Sequence, residues 1–428
     1  MFFLFLILFL FLNIYLINGS SKINSLIIGL PINIAGSIYF SQRFLYSEFI
    51  ENDYAIVLFL IFSFIFVFLS KFTLFPTIDK SLSNLNTLNL LEIEYISYIY
   101  IIFSFLALLL NYSNASIYTT YDGVFFDTQS GLATIYAQLL IFPKIAASSG
   151  ILLFYFNLKN KKSFKLFLLS LLQILPITII TIAFGFRRSE LFHLLSPLLI
   201  FSVLNYAPNI LRKIIKNKLR ILFAFTFIFI ISGLSIDYTG PLRKYLVNCS
   251  RYAECNINTI NEYHLIAKEK YRIPGETLNI SRIMNQLNNE QINYDFGSSS
   301  LNMILFRFAP EIIIGENLRQ NVRDNVNGRI KNLLAYTTFS GMGDSILSFG
   351  YLAPIKWIYT TLIFIPFFRF LKKHSYFILI SLPLVSSIIT HMFTHHLDLV
   401  APDLIVIFII FKFTNLSLNL FDEKIKKF

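Results

Sequence analysis

The chain has 428 residues, of which 55% are hydrophobic and only 14% are charged, and its mean hydropathy is +0.64. This composition excludes a soluble protein of two or three ordinary domains, because apolar runs of about 20 residues, enough helix to cross a membrane, recur along almost the whole length. The net charge of +12 does not indicate nucleic-acid binding, since the cytoplasmic loops of membrane proteins collect lysine and arginine.

Hydropathy predicts an all-α, polytopic membrane protein with about eleven transmembrane helices. The first run, MFFLFLILFLFLNIYLI, has no basic n-region and no small-residue cleavage site, so we interpret it as a span and not as a cleaved signal peptide. The second run holds Pro31 among several glycines, so a re-entrant segment is the alternative to a full crossing. The predicted spans are 2–18, 24–42, 53–72, 93–112, 132–158, 166–186, 191–207, 221–238, 351–370, 376–393 and 401–418.

The short connections between these spans differ strongly in charge. One side carries eighteen lysines and arginines, whereas the other carries only Arg43, Arg187 and Arg188. By the positive-inside rule, the lysine-rich side faces the cytoplasm. The N-terminus is then predicted to be periplasmic and the C-terminus cytoplasmic.

The same alternation divides the chain into three regions. Residues 1–238 hold eight predicted spans, 239–350 form one large external, periplasmic loop, and 351–428 hold the last three spans and a cytoplasmic tail. Both cysteines, Cys249 and Cys255, fall in the loop. A disulfide fits an oxidising compartment, and a metal pair is the alternative, although no further Cys or His lies near it.

Two arginines and a glutamate interrupt the apolar chain in the stretch FGFRRSELFHLL. Arg187 and Arg188 could snorkel to lipid headgroups at a tight turn. Arginine on the outer side opposes the positive-inside bias, however, and its planar donors suit phosphate. We therefore favour an anion clamp, in which Glu190 orients one guanidinium or acts as a base.

Three further charged residues lie in or near apolar stretches. Lys144 falls within the fifth predicted span, where a buried lysine indicates a functional site, unless the true boundary places it at the interface. Arg307 and Glu311, four residues apart in LFRFAPE, could face a cleft or form an ordinary surface pair.

Two stretches near the last spans hold candidate bases. Asp344 is the one acid in TFSGMGDSILSFGYLAPI, where it either caps a helix or contacts substrate hydroxyls. His391 lies in THMFTHHLDL, with His395 on the same helix face and Asp398 beyond it. A metal site there is conceivable, but no HExxH pattern supports it, and an ordinary interfacial position is the simplest interpretation.

Several enzyme signatures are missing from the sequence. It has no P-loop, no dinucleotide-binding glycine pattern, no GxSxG elbow and no protein-kinase motif set. A cytoplasmic, nucleotide-driven mechanism is therefore disfavoured, and we expect neither a cofactor nor a metal.

The layout resembles the Wzy-type O-antigen polymerases, which have about eleven spans and a large external loop before the last few. FGFRRSEL is similar to their G-x-R-type segment, and FSGMGDSILSFGYLAPI resembles the segment where their loop returns to the membrane. Arg187 and Leu191 also fit the R-x₃-L pattern of the related O-antigen ligases. The resemblance implies a membrane fold of the glycosyltransferase C (GT-C) kind.

The resemblance further implies an integral membrane glycosyltransferase of the bacterial inner membrane. It would transfer a growing glycan from undecaprenyl pyrophosphate to the non-reducing end of an incoming lipid-linked repeat unit, on the periplasmic side. Its partners would be that lipid-linked donor and acceptor, the membrane lipids and, as a candidate, a chain-length regulator, but no nucleic acid.

Residue roles in this reaction follow from charge. Arg187, Arg188, Arg307 and Lys144 are candidates for binding the pyrophosphate, because positioned cations stabilise a leaving phosphate without a metal. Glu190, Glu311, Asp344 and His391 compete as the base for the acceptor hydroxyl. The alternatives are an O-antigen ligase, whose loop usually carries a functional histidine, and a lipid-linked oligosaccharide flippase or transporter.

Overall fold

The structure of the chain is a computed structural model. The structure describes residues 2–45, 51–83, 90–111, 138–160, 163–183, 188–203, 221–223, 225–230, 275–289, 293–308, 340–371, 374–394 and 397–425.

The described part is almost entirely helical, and it contains no strand. Two short 3₁₀ helices, η1 (Gly350–Leu352) and η2 (Leu397–Leu399), interrupt the α-helices near the C-terminus. The α-helices are α1 (Phe2–Gly19), α2 (Lys22–Leu45), α3 (Glu51–Phe72), α4 (Leu74–Ser83), α5 (Leu90–Asn111), α6 (Ile141–Asn160), α7 (Phe164–Ala183), α8 (Arg188–Val203), α9 (Gly275–Asn288), α10 (Ser298–Phe308), α11 (Ser340–Phe349), α12 (Pro354–Leu371), α13 (Ser375–Thr394) and α14 (Val400–Ile425).

Eight described helices are long and apolar enough to cross a membrane: α1, α2, α3, α5, α6, α7, α12 and α13. The other three predicted spans fall on the shorter apolar helix α8, on the described residues 221–223 and 225–230, and within α14. The predicted class, an all-α multi-pass membrane protein, is therefore confirmed. The number of spans that the described residues support is eight.

Helix α2 is one continuous helix of 24 residues despite Pro31. Proline has no backbone N–H to donate to the carbonyl group of the preceding turn. Contacts with neighbouring helices must therefore help to stabilise α2 at this point. Asn33, half a turn further on, exchanges amide hydrogen bonds with Asn13 of α1, with N···O distances of 2.8 and 3.3 Å. Both amides are buried, so the pair joins α1 to α2 where apolar packing alone gives little specificity.

Helix α13 lies at the centre of the bundle. Nearly all of its side chains are buried, and it packs against α2, α6, α8, α11 and α14.

Small residues let α6 come close to its neighbours. The Ser148 hydroxyl donates to the carbonyl of Ile380 in α13 at 2.9 Å. A Cβ at Gly150 would lie 2.8 Å from the carbonyl oxygen of Ser170 in α7.

The described parts of the segment 239–350 pack against the bundle. Helix α9 contacts α11 and α3, and α10 contacts η2 and α14. Side chains of α10 also reach Lys356 of α12 and Asp398 of η2, and the buried lysine and the two buried aspartates of the described residues lie there.

Candidate functional site

A lysine and two aspartates form a buried ionic cluster where α11, α12 and η2 meet. The Nζ atom of Lys356 lies 2.7 Å from Asp398 Oδ1 and 3.1 Å from Asp344 Oδ2. It also donates to Ser348 Oγ at 2.9 Å and to Ser299 Oγ at 3.4 Å. The exposed fraction of the three charged residues is 5% or less. We call these five residues the Lys356 cluster.

Helix α10 and the second turn of α12 complete the polar surroundings of Asp398. The Ser300 hydroxyl donates to Asp398 Oδ1, and it also lies 3.1 Å from the Tyr359 hydroxyl. An ammonium has three N–H groups, and Lys356 already has four oxygen acceptors within 3.4 Å. Lys356 therefore holds α10, α11 and η2 together and has no donor left to clamp a substrate anion.

The start of α11 explains how Asp344 reaches this position. Ser340 has a φ of 59°, and its Oγ accepts a hydrogen bond from the Gly343 N–H at 3.3 Å, so that α11 begins abruptly. A Cβ on Gly341 would lie only 1.7 Å from the carbonyl oxygen of Met392, so only glycine allows α11 to approach the end of α13 this closely. Asp344 is then a buried mid-helix residue and not a helix cap.

Asp344 also fixes the chain beyond α13. Its Oδ2 accepts a hydrogen bond from the Leu397 N–H at 3.1 Å. Trp357, next to Lys356, is fully buried between Phe62 and Phe393, with ring-centroid distances of 5.4 and 4.8 Å. Apolar packing on one side and hydrogen bonds on the other therefore hold the cluster.

A second polar group lies around His193 of α8. The Nε2 atom of His193 is 3.1 Å from Ser387 Oγ of α13, and both side chains are buried. Lys144 of α6 and His391 of α13 are both close enough to act electrostatically on the His193 ring. We call these four residues the His193 cluster. It brings together two of the residues that the sequence analysis assigned to different roles, phosphate binding and proton transfer.

The end of α13 connects the two clusters. His391 belongs to the His193 cluster, and the carbonyl of the next residue, Met392, meets Gly341 at the start of α11. Asp398, which the sequence analysis considered as a metal ligand, instead pairs with Lys356. No group of three or more potential metal ligands occurs among the residues that the structure describes.

The remaining predicted site residues are described only in part or not at all. Arg188 and Glu190 lie in the first turn of α8, and Arg307 lies near the end of α10, but their side chains are outside the described part. The residues that lie outside the described ranges altogether are Arg187, Glu311, His395, Cys249 and Cys255.

Lys356 and His193 were missed by the sequence analysis. Both fall within predicted spans, Lys356 in 351–370 and His193 in 191–207. An ionisable residue inside a span indicates a functional site, and this holds for Lys356 and His193 as it does for Lys144. Their partners could not have been found in this way, because Asp398 and Ser387 come from other helices.

The helices and their buried charges define this chain as an all-α, multi-pass membrane protein with ionisable clusters at the end of its central helix. No protein-family model, no curated protein and no solved structure matches it.

Proposed function

We propose that the protein is an O-antigen or surface-polysaccharide polymerase of the Wzy type, with about eleven spans and a GT-C-like fold. In this proposal it acts at the periplasmic face of the bacterial inner membrane, with its N-terminus periplasmic and its C-terminus cytoplasmic. It transfers the growing glycan from undecaprenyl pyrophosphate to an incoming lipid-linked repeat unit.

One observation carries the proposal: α6 with Lys144, α8 with His193 and α13 with His391 pack against one another, and α8 begins with Arg188 and Glu190. Cations and a helix N-terminus both stabilise a pyrophosphate that gains charge as the glycosidic bond breaks. A histidine or carboxylate close by can accept the proton of the attacking hydroxyl.

In this mechanism the two clusters have different roles. The His193 cluster and the predicted clamp of Arg187 and Arg188 serve the pyrophosphate and the acceptor hydroxyl. The Lys356 cluster positions the returning end of the external loop, because its groups are already engaged with one another. Of the four candidate bases, Asp344 is then a positioning residue, which leaves Glu190, Glu311 and His391 as the groups that could contact the acceptor.

A flippase or transporter of lipid-linked oligosaccharide is the second candidate. The observation that favours it is the buried Lys356 cluster, since ionisable groups inside a membrane domain often mark ion or substrate pathways. An O-antigen ligase remains the alternative within the glycosyltransferase class.

Deletion of the gene in its host separates these functions. After loss of a polymerase, a gel of surface polysaccharide should show the lipid core bearing a single repeat unit. Loss of a ligase should leave the lipid core without attached glycan, while the lipid-linked polymer accumulates. Loss of a flippase should leave bare core with lipid-linked single units. An unchanged ladder of chain lengths would rule out all three.

A further inference from the structure

A polar pocket lies at the end of the bundle where α1 turns into α2 and α3 turns into α4. Its volume is about 420 Å³, which is within the range of about 300–1,000 Å³ typical of small-ligand sites. Its lining residues include Gly19, Ser20, Ser21, Lys71, Phe75 and Asp79. We call it the Lys71 pocket. It lies apart from the residues assigned to the proposed function.

The cation of this pocket is held by an aromatic ring. Lys71 is in the last turn of α3, and its Nζ lies 4.8 Å from the ring centroid of Tyr15 and 3.5 Å from the Tyr15 hydroxyl. A Cβ at Gly19 would come within 3.2 Å of Nζ, so the glycine leaves room for the ammonium. No carboxylate pairs with Lys71 among the described residues. Among these residues the Lys71 ammonium contacts the ring and the hydroxyl of Tyr15 and no carboxylate.

An anion lies on the other wall of the pocket. Asp79 of α4 accepts a hydrogen bond from Ser21 Oγ at 3.0 Å, and Asn24 Nδ2 lies 3.1 Å from each of its carboxylate oxygens. These bonds fix the carboxylate in place, and within the described part it forms no ion pair with Lys71. The pocket thus presents one positive and one negative group, held apart by separate partners.

The surroundings place this pocket at the depth of lipid headgroups. Helix α4 buries Leu74, Phe75 and Ile78 and exposes Asp79 and Lys80, as an amphipathic helix at the membrane surface does. It directly follows α3, which is long and apolar enough to span the membrane. Tyr15 is partly exposed near the end of α1, where aromatic residues commonly meet the interface.

We infer that the Lys71 pocket binds the headgroup of phosphatidylethanolamine. The lipid phosphate contacts the Lys71 ammonium, and the primary ammonium of the lipid donates hydrogen bonds to Asp79. Phosphatidylglycerol has the phosphate but no ammonium. Phosphatidylcholine has a quaternary ammonium without N–H donors, so neither of these lipids satisfies both walls of the pocket.

The test uses the full-length protein purified in mild detergent, with bound lipid counted by native mass spectrometry after addition of each of the three lipids. We expect retention of phosphatidylethanolamine over the other two. Lys71→Ala should lower its occupancy about tenfold, the effect of one charge-assisted hydrogen bond. Asp79→Asn should reduce phosphatidylethanolamine binding to the level of phosphatidylglycerol. The matched control is Lys80→Ala, which removes the same charge from the same end of the bundle outside the pocket.

Equal retention of all three lipids, or equal losses in the Lys71→Ala and Lys80→Ala variants, would overturn the inference. A further arm adds glycerophosphoethanolamine, which has the same headgroup and no acyl chains. If this soluble compound displaces the lipid at equal concentration, the pocket is a solute site and the lipid assignment is wrong. Each variant must elute at the same volume as the parent protein in size-exclusion chromatography. This shows that reduced lipid binding does not result from unfolding.

Discussion

Lys356 and Asp398 form an ion pair of 2.7 Å between two segments that are both buried in the bundle. The pair joins the first turn of α12 to the short helix that follows α13. Asp344 adds a third segment, through its contact of 3.1 Å with Lys356 and its hydrogen bond with the Leu397 N–H. Three chain segments that enter or leave the bundle are thus tied to one ammonium group.

Removal of the lysine alone should be much more damaging than removal of all three charges. Lys356→Met leaves two buried carboxylates without their cation, which typically costs about 3–5 kcal/mol. The triple variant Lys356→Met, Asp344→Asn, Asp398→Asn leaves no charge in the Lys356 cluster and should regain much of that stability. Thermal unfolding in detergent measures both.

The control for this series is Lys412→Met, which removes an exposed lysine of α14 that lies 5.0 Å from the Phe370 ring centroid. It should unfold within a few degrees of the parent. A Lys356→Met protein as stable as this control would show that the Lys356 cluster does not hold the segments together.

The hydrogen bond between His193 and Ser387 should be measurable against the neighbouring serine. Ser387→Ala leaves the buried Nε2 of His193 without this partner, a loss of about 1–3 kcal/mol. Ser386→Ala is the matched control, because Ser386 is buried in the same helix and its Oγ has no hydrogen-bond partner in the described part. The midpoints of chemical unfolding of the two variants give the comparison. Equal midpoints would contradict the hydrogen bond between His193 and Ser387.

Gly341→Ala should be more disruptive than Gly150→Ala, although both glycines lie at close helix contacts. The added methyl would lie 1.7 Å from the Met392 carbonyl oxygen in the first case and 2.8 Å from the Ser170 carbonyl oxygen in the second. Neither backbone atom can rotate away, and the closer contact forces the larger shift of α11 and of Asp344 with it. Expression yield and unfolding temperature rank the two, and the reverse order would refute the geometry of α11.

Arg187 and Arg188 should each be needed for polymer under the proposed function. Replacement of either by alanine removes a cation from the predicted pyrophosphate clamp, so the host should produce only single repeat units while the protein still inserts. Arg43→Ala is the matched control, because it removes an arginine predicted to lie on the same side of the membrane. Normal chain lengths from both clamp variants would eliminate the clamp.

Sequence reasoning reached some parts of the site and not others, for identifiable reasons. Lys144, Asp344 and His391 were found because a charge or an imidazole stands out within an apolar stretch. Their partners were not found, because the pairing of Asp344 with Lys356 depends on how α11 turns at Gly341. The ion pair of Asp398 could not be predicted for the same reason, since its partner is a lysine on another helix.

The hydropathy of the chain is enough to assign the class of the molecule. Lipid offers backbone groups no hydrogen-bond partners, so a continuous apolar run of about 20 residues satisfies them within its own helix, whatever the neighbouring helices are. Which helix is central and which buried charges meet are known only from the packing of the folded chain. Those choices depend on side-chain contacts between distant segments, such as the Asn13 and Asn33 amides and the group around Lys356, and hydropathy carries no information about them.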